Sequence, residues 1–199
     1  HLSDEQMNIL FSSRIPRTVS ILLSGSSLAL SGLIMQQMMQ NKFVSPTTAG
    51  TMEWAKLGIL LSLLFFPNGH ILIKLLFAVV LSIVGTFLFV QLINLIRAKD
   101  VIFVPLLGIM IGGILSSFTT FVALRTNALQ SIGNWLTGNF AVITSGRFEV
   151  LYLTIPLLIL AFVFANHFTI AGMGKDFSHN LGVSYEKIIK IALFITATL

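Results

Sequence analysis

The residues of this chain that could do chemistry are few and lie far apart. Cysteine is absent, which excludes disulfides and cysteine nucleophiles, and no second ligand stands three or four residues after His70, His167 or His179. A metal site needs several such ligands together, so we expect structural or solvated histidines and no bound metal. Met35, Met38 and Met39 could bind soft copper. Methionine also fills irregular gaps between helices, and we favour packing.

One short segment superficially resembles a phosphate-binding loop. It runs from Gly172 to Lys175. The nucleotide-binding pattern requires a glycine where Thr169 stands and Ser or Thr where Asp176 stands. The chain is therefore not expected to bind ATP by that route.

The elements that must position these residues belong in a membrane. The chain has 199 residues, of which 55% are hydrophobic and 10% charged, and its mean hydropathy is +0.94. Soluble domains have about 25% charged residues, so too few polar side chains are present to cover a soluble core. The net charge of +5 is spread out, with no dense Lys/Arg cluster. Basic loops are usual in multispan proteins, and we exclude nucleic-acid binding.

Charge-free runs predict an all-α, polytopic transmembrane helix bundle that forms a single domain over residues 1–199. A helix needs about 20 apolar residues to cross a bilayer. Six spans are predicted, in the runs 18–41, 57–73, 75–96, 101–124 and 150–174 and in a last segment from near 188 to 199. The second is short and crosses only if its helix starts near Met52, with Glu53 and Lys56 at its end. The last predicted span reaches Leu199 with no cap or polar residue after its apolar stretch. We therefore expect that the chain is cut inside a helix.

The loops fall on two sides. Residues 125–148 are too polar for the hydrocarbon, but their apolar residues recur at helical spacing, which predicts a short interfacial helix in an extracytoplasmic loop. Seven basic residues lie on one side and five, including Arg14 and Arg17, on the other. The positive-inside rule makes the first side cytoplasmic.

The predicted spans lack the groups that drive ion-coupled transport. The confidently predicted runs contain no Asp, Glu, Lys or Arg, whereas transporters coupled to protons or cations place such residues inside the membrane. The sequence therefore disfavours a self-powered transporter, and its driving energy should come from another subunit.

Small residues line two of the predicted spans. Ser20, Ser24, Ser27 and Ser31 recur at helical spacing beside Gly25 and Gly32, and Gly108 and Gly112 form a second pair. Such faces let helix backbones approach closely. They are also compatible with a path between subunits, with Gln36 and Gln37 near its inner end. Both interpretations stay open.

An ordered set of motifs adds a family resemblance. The first group is Arg14-Ile15-Pro16-Arg17-Thr18, then Gly25, Ala29, Ser31-Gly32 and Gln36, then Asn41 to Pro46 and Gly50. The second is Leu107-Gly108 through Gly113, Trp135-Leu136-Thr137-Gly138, Gly174-Lys175-Asp176 and Asn180 to Ser184. In this order they resemble permease subunits of the iron-siderophore and cobalamin ABC importer family. Segment 41–55 is most similar to permeases for catecholate-type siderophores.

The resemblance implies a permease that passes a ferric siderophore across the bacterial cytoplasmic membrane. Family permeases have about ten spans of about 20 residues, so this chain would be a fragment lacking one span before His1 and about three after Leu199. They pair with a second permease subunit, receive substrate from an extracytoplasmic binding protein, and are driven by two ATPase subunits that hold ATP and Mg. The permease itself would bind no cofactor and would not be an enzyme. Cobalamin or haem import, a channel and a multispan membrane enzyme are the alternatives.

The resemblance also assigns roles to residues. Arg14 and Arg17 would dock the binding protein, although arginines at a helix end can also simply snorkel to the interface. The loop 168–187 would couple the permease to the ATPase, or else be an ordinary solvated loop. Its coupling residues are Gly174, Lys175, Asp176, Asn180, Leu181, Gly182, Val183 and Ser184.

Two further groups complete the predicted site. The residues expected to line the pathway or pack the helices are Ser24, Gly25, Ser31, Gly32, Gln36, Pro46, Gly50, Gly108 and Gly112. Asp100 and Val101 lie where family members narrow the pathway toward the cytoplasm. Relatives often have small hydroxyl residues at that gate, so these two depart from the pattern.

Overall fold

A computed structural model describes residues 3–96, 103–140, 143, 144, 146 and 148–199, and the regular structure within them is entirely helical. The all-α prediction is confirmed. The elements are α1 (Asp4–Ile9), a π-helical turn (Leu10–Arg14), α2 (Ile15–Met39), α3 (Thr51–Phe65), α4 (Ile71–Ile96), α5 (Phe103–Arg125), α6 (Leu129–Leu136), a 3-10 helix (Glu149–Leu153), α7 (Thr154–Val163), α8 (Ala165–Gly172), α9 (Lys175–Asn180) and α10 (Tyr185–Thr198).

The first helix begins earlier than the charge-free run predicted. Ser3 and Gln6 form a reciprocal capping box at its start, and the helix then continues without interruption as an apolar stretch over Gln6–Met39. The wider π turn ends at Arg14, two residues before Pro16, which cannot donate a backbone hydrogen bond within the helix. Capping at Ser3 thus starts the helix well before the predicted run 18–41.

Among the described residues, three helices are long and apolar enough to cross a membrane, and they are Gln6–Met39, Ile71–Ile96 and Phe103–Arg125. The pair Glu149–Val163 and Ala165–Gly172, bent by 55°, makes a fourth if it is one broken span. The described residues therefore hold fewer full-length spans than the six predicted. α3 begins at Thr51, close to the predicted start near Met52, but has only 15 residues, and α10 has 14.

The helices pack at two apolar clusters that share α2. One joins α2 to α7, α8 and α10, and includes Met38 and Phe168. The other joins α2 to α4, α5, α10 and the segment before α3, and includes Met35 and Phe89. Both methionines are buried, so their predicted role in packing is confirmed.

Of the helix pairs that the structure describes, α3 and α4 pack together most extensively. A methyl group at Gly58 would overlap the Phe77 backbone, and one at Gly85 would overlap the Trp54 ring. Large apolar side chains elsewhere point outward, such as Ile114 and Phe162. Apolar surface of this extent needs lipid or further protein to cover it.

Candidate functional site

The two predicted docking arginines lie where the π turn meets α2. Arg14 is exposed and Arg17 is half-buried. The Arg17 Nε–H donates to the Phe140 carbonyl oxygen at 3.2 Å, and Nη2 lies 3.5 Å from Ser13 Oγ. Arg17 is thereby tied to the loop after α6, whereas Arg14 presents its charge at the surface.

The predicted small-residue face of α2 has two different edges. Ser20, Ser27 and Ser31 are buried, and Ser24 is half-buried. The Oγ atoms of Ser27 and Ser31 have no hydrogen-bond partner among the described residues. A methyl group at Gly25 or Gly32 would meet no described atom within 4 Å. The serine edge thus packs inside this chain, and the two glycines face open space.

The segment between α2 and α3 is a compact polar turn. Gln40 adopts a left-handed conformation that ends α2, and Asn41 Oδ1 accepts a hydrogen bond from the Phe43 backbone N–H at 2.9 Å. Pro46 is buried, and its carbonyl oxygen accepts a bond from Thr51 Oγ1 at 2.6 Å. These bonds fix the segment 41–50 as a structured connection into α3.

Three predicted glycines come together where this segment meets α5. Gly50 has φ +78°, a left-handed conformation that favours glycine. A methyl group added there would lie about 4 Å from Gly108 and Gly112 backbone atoms, and one at Gly108 would overlap the Thr48 carbonyl oxygen. The close approach expected of the Gly108–Gly112 pair is therefore made by the segment 41–50 rather than by another long helix.

A charged pair beside these glycines was not among the predicted site residues. Glu53 lies against Gly112, where an added methyl group would be 3.6 Å from Glu53 Cγ. Lys56 Nζ is 3.7 Å from Glu53 Oε2 and donates a hydrogen bond to Ser116 Oγ at 3.1 Å. The sequence placed both charges at a helix end, but their partners lie well inside α5. The signal that could have found them is the i, i+3 spacing of opposite charges at the start of a short apolar run.

Two left-handed glycines flank α9 within the predicted coupling segment 168–187. Gly174 has φ +109° and Gly182 has φ +73°, on either side of α9. Ser178 is buried and donates hydrogen bonds to the Ile170 and Gly174 carbonyl oxygens, at 3.1 and 2.8 Å. Both glycines form sharp turns at the ends of α9.

Most of the predicted coupling side chains are at the surface. Val183 instead packs on the apolar cluster of α2, α7, α8 and α10. Lys175 lies 3.7 Å from Glu186 in an exposed ion pair. Those at the surface are Lys175, Asp176, Asn180, Leu181, Gly182 and Ser184.

The same segment rests on the end of α2. Gly172 is so close to Gln37 that an added methyl group would lie 2.7 Å from Gln37 Oε1, and one at Gly174 would lie 3.6 Å from Gln40 Nε2. α2 in turn leads directly into the segment 41–50. The coupling segment and the glycine contact on α5 are therefore connected through α2 and the chain that follows it.

The gate residues Asp100 and Val101 lie outside the described residues. The short helix predicted in the loop 125–148 is present as α6. Ile132 of α6 is buried against Leu60 and Ala123, whereas Trp135 is exposed and lies beneath Lys74 Nζ, 5.3 Å from its ring centre. α6 is thus held against α3 and α5.

Comparison with known proteins places this arrangement in a family. The model of the FecCD transport family matches residues 1–199. The chain belongs to the FecCD transport family. It is 50% identical over 98% of its length to the petrobactin import system permease protein YclN of Bacillus subtilis. It is 39% identical to the petrobactin import system permease protein FatD of Bacillus anthracis and 35% identical to the ferric-anguibactin transport system permease protein FatD of Vibrio anguillarum, over 98% and 94% of the chain.

These FecCD-family relatives are longer than this chain. It covers 62%, 57% and 60% of their respective lengths. A solved structure of a metal-chelate type ABC transporter in an inward-facing conformation matches the whole chain with a TM-score of 0.72 and 23% identity, over 64% of the solved chain. At that identity the match supports the helical fold of this FecCD-family chain.

Phe177 of the FecCD-family chain was missing from the predicted site, and it forms an exposed apolar pair with the predicted coupling residue Leu181. Phe177 is 52% exposed and Leu181 is 54% exposed, and they are four residues apart around the end of α9. Spacing of this kind places side chains on one face of a helix. Tyr185, four residues after Leu181, is half-buried, and burial raises the pKa of its phenol. Phe177 and Leu181 together form an apolar contact surface beside the polar coupling residues.

Proposed function

We propose that this chain is part of a permease that carries a ferric siderophore through the bacterial cytoplasmic membrane in an ATP-driven importer. The 50% identity to a petrobactin import permease over nearly the whole chain carries the proposal. The apolar helices and the glycine-mediated packing of the segment 41–50 on α5 are consistent with a membrane permease. A cobalamin or haem importer permease is the second candidate.

In the proposed importer, the permease has three kinds of partner. A second permease subunit completes the central pathway, an extracytoplasmic binding protein delivers the ferric siderophore, and two ATPase subunits hold ATP and Mg. ATP hydrolysis shifts the permease between outward-open and inward-open states, which is a change in populations rather than a catalytic step of this chain. Permease side chains thus bind and release substrate without covalent chemistry.

Arg14 and Arg17 are proposed to dock the binding protein. The geometry supports unequal roles, because Arg17 donates to Phe140 O and Arg14 is exposed. Charges at the rim of an interface mainly steer encounter and fix register. Arg14 would therefore attract the partner's carboxylates, and Arg17 would also hold the loop after α6 in place.

The segment 168–187 is proposed to couple the permease to the ATPase. α9 and the exposed Phe177–Leu181 pair supply the contact surface, and the Gly174 and Gly182 turns set its orientation. Asp100 and Val101 are proposed as residues of the cytoplasmic gate. Movement of α9 would be transmitted to the pathway by the contact between Gly172 and Gln37 of α2.

The decisive experiment is uptake by the complete importer. The full-length permease, its ATPases and its binding protein are reconstituted in proteoliposomes and given ⁵⁵Fe-labelled petrobactin, ⁵⁵Fe-labelled enterobactin, haem or cobalamin. The proposal expects ATP-dependent accumulation of a ferric siderophore and none of cobalamin or haem. Accumulation of cobalamin or haem alone would favour the second candidate, and ATP-independent flux of small ions would indicate a channel.

A further inference from the structure

The Glu53–Lys56 pair lies at the start of α3, and this end of α3 packs against the middle of α5. Lys56 donates to Ser116 and Glu53 lies against Gly112, both on the membrane-spanning helix α5. At 1.5 Å per residue, Ser116 is roughly 20 Å from the Phe103 end of α5 and roughly 14 Å from the Arg125 end. The pair thus faces the central part of the span.

Charges at this depth are costly, and the ion pair offsets only part of that cost. A charged side chain at the centre of a spanning helix costs about 2.5–3.5 kcal/mol on insertion scales. Glu53 Oε2 is buried without a hydrogen-bond partner among the described residues, and its 3.7 Å separation from Lys56 Nζ is longer than the roughly 2.7–2.9 Å of a closed charged hydrogen bond. This longer separation leaves N–H donors of Lys56 for a further acceptor.

The ammonium of Lys56 borders a cavity that can take a polar group. The cavity has a volume of about 210 Å³ and lies between α3, α5 and α6. Thr119, Thr120 and Gly133 also line it. Lysine has three N–H donors, and Ser116 Oγ is the one hydrogen-bond acceptor that the described residues show for it. A water takes about 30 Å³ in the liquid, so the cavity has room for a carboxylate or a single ring but not for a whole ferric siderophore.

We infer that Lys56 binds an anionic oxygen of the transported chelate, either a carboxylate or a catecholate, as one arm of the chelate passes this cavity. The inference rests on the proposed function and assigns that function a substrate-contacting residue. An ammonium forms charge-assisted hydrogen bonds with such oxygens. Glu53 competes for the same ammonium and keeps the site close to neutral when it is empty. Competition weakens substrate binding, as a transport pathway requires, since a tightly bound substrate would not leave.

A charge swap separates this role from a structural one. In the complete importer, Lys56→Gln should lower ⁵⁵Fe-petrobactin uptake at least tenfold, because a charged hydrogen bond contributes about 1.5 kcal/mol or more. Lys56→Arg should retain most of the uptake. The swapped variant Glu53→Lys/Lys56→Glu keeps an ion pair but places a carboxylate at the cavity. It should assemble and hydrolyse ATP normally while importing at least tenfold less.

The controls make each outcome decisive. Lys42→Gln removes an exposed lysine of the segment 41–50 and should leave uptake unchanged. Should the swap fail to assemble, Glu53→Gln/Lys56→Gln removes both charges and should assemble with about tenfold lower uptake. Normal uptake by either double variant would overturn the inference and leave the proposed function standing. No ATP-dependent uptake of any ferric siderophore by the unmodified importer would overturn both.

Discussion

Gly172 of α8 packs directly against Gln37 of α2. A methyl group at Gly172 would lie 2.7 Å from Gln37 Oε1 and 3.1 Å from the Gln37 carbonyl oxygen. The first atom belongs to a flexible side chain that can move, but the second belongs to the helix backbone. The contact joins the start of the segment 168–187 to the end of α2, and α2 leads into the segment that packs on α5. We therefore expect this contact to transmit movement of α9 toward the pathway.

Gly172→Ala tests that contact. The added methyl group should push α8 away from α2, lower the free energy of unfolding by about 1–3 kcal/mol, and reduce the uptake obtained per ATP hydrolysed. Gln37→Ala removes the nearer oxygen and should restore part of the stability in the double variant. Thermal unfolding of the purified importer and the ratio of uptake to hydrolysis measure the two effects. Gly113→Ala is the control, because that methyl group would meet no described atom within 4 Å.

Gly108→Ala should be more damaging than any other single methyl addition to α5. The methyl group would overlap the Thr48 carbonyl oxygen, a backbone atom that can move only if the segment 41–50 shifts. We expect a loss of roughly 3 kcal/mol or more in stability. Gly113→Ala on the same helix meets open space and should change stability by less than about 1 kcal/mol. Equal melting temperatures for the two variants would contradict the observed packing.

Charge reversal at the docking arginines should weaken capture of the binding protein in a salt-dependent way. Arg14→Glu should slow association by about tenfold at low ionic strength, since exposed charges act mainly on the encounter rate. Arg17→Glu should also disorder the loop after α6, because the bond to Phe140 O is lost. Association rates measured from low to high salt report the first effect. Lys42→Glu is the matched control. Association rates of the unmodified importer that stay constant across the salt series would argue against docking through Arg14 and Arg17.

Replacing Leu181 and Gly182 should uncouple ATP hydrolysis from uptake. Leu181→Asp puts a charge into the exposed apolar surface that it shares with Phe177, and Gly182→Ala strains a residue with φ +73° by about 1–2 kcal/mol. The double variant should hydrolyse ATP with little import. Leu181→Met keeps the surface apolar and should transport normally. Normal uptake by the Leu181→Asp/Gly182→Ala importer would show that the segment has no coupling role.

Local sequence signals predicted the elements that depend on neighbours along the chain. The start of α3 near Met52 and the short helix α6 follow from apolar periodicity. The turns at Gly174 and Gly182 likewise depend only on glycine's freedom to adopt positive φ. The early start of the first helix was missed, because a capping box at Ser3 outweighed the polar composition.

Only the tertiary structure decided which distant residues meet. The sequence showed Gly108 and Gly112 as a helix-packing pair, but not that the segment 41–50 would be their partner. It showed Glu53 and Lys56 at a helix end, but not that this end lies against the middle of α5. The structural effects of apolar runs and glycines depend on residues that are close in sequence. They can therefore be predicted from the sequence alone. The depth of a charge depends on how helices far apart in sequence are packed, and that is set by the fold as a whole.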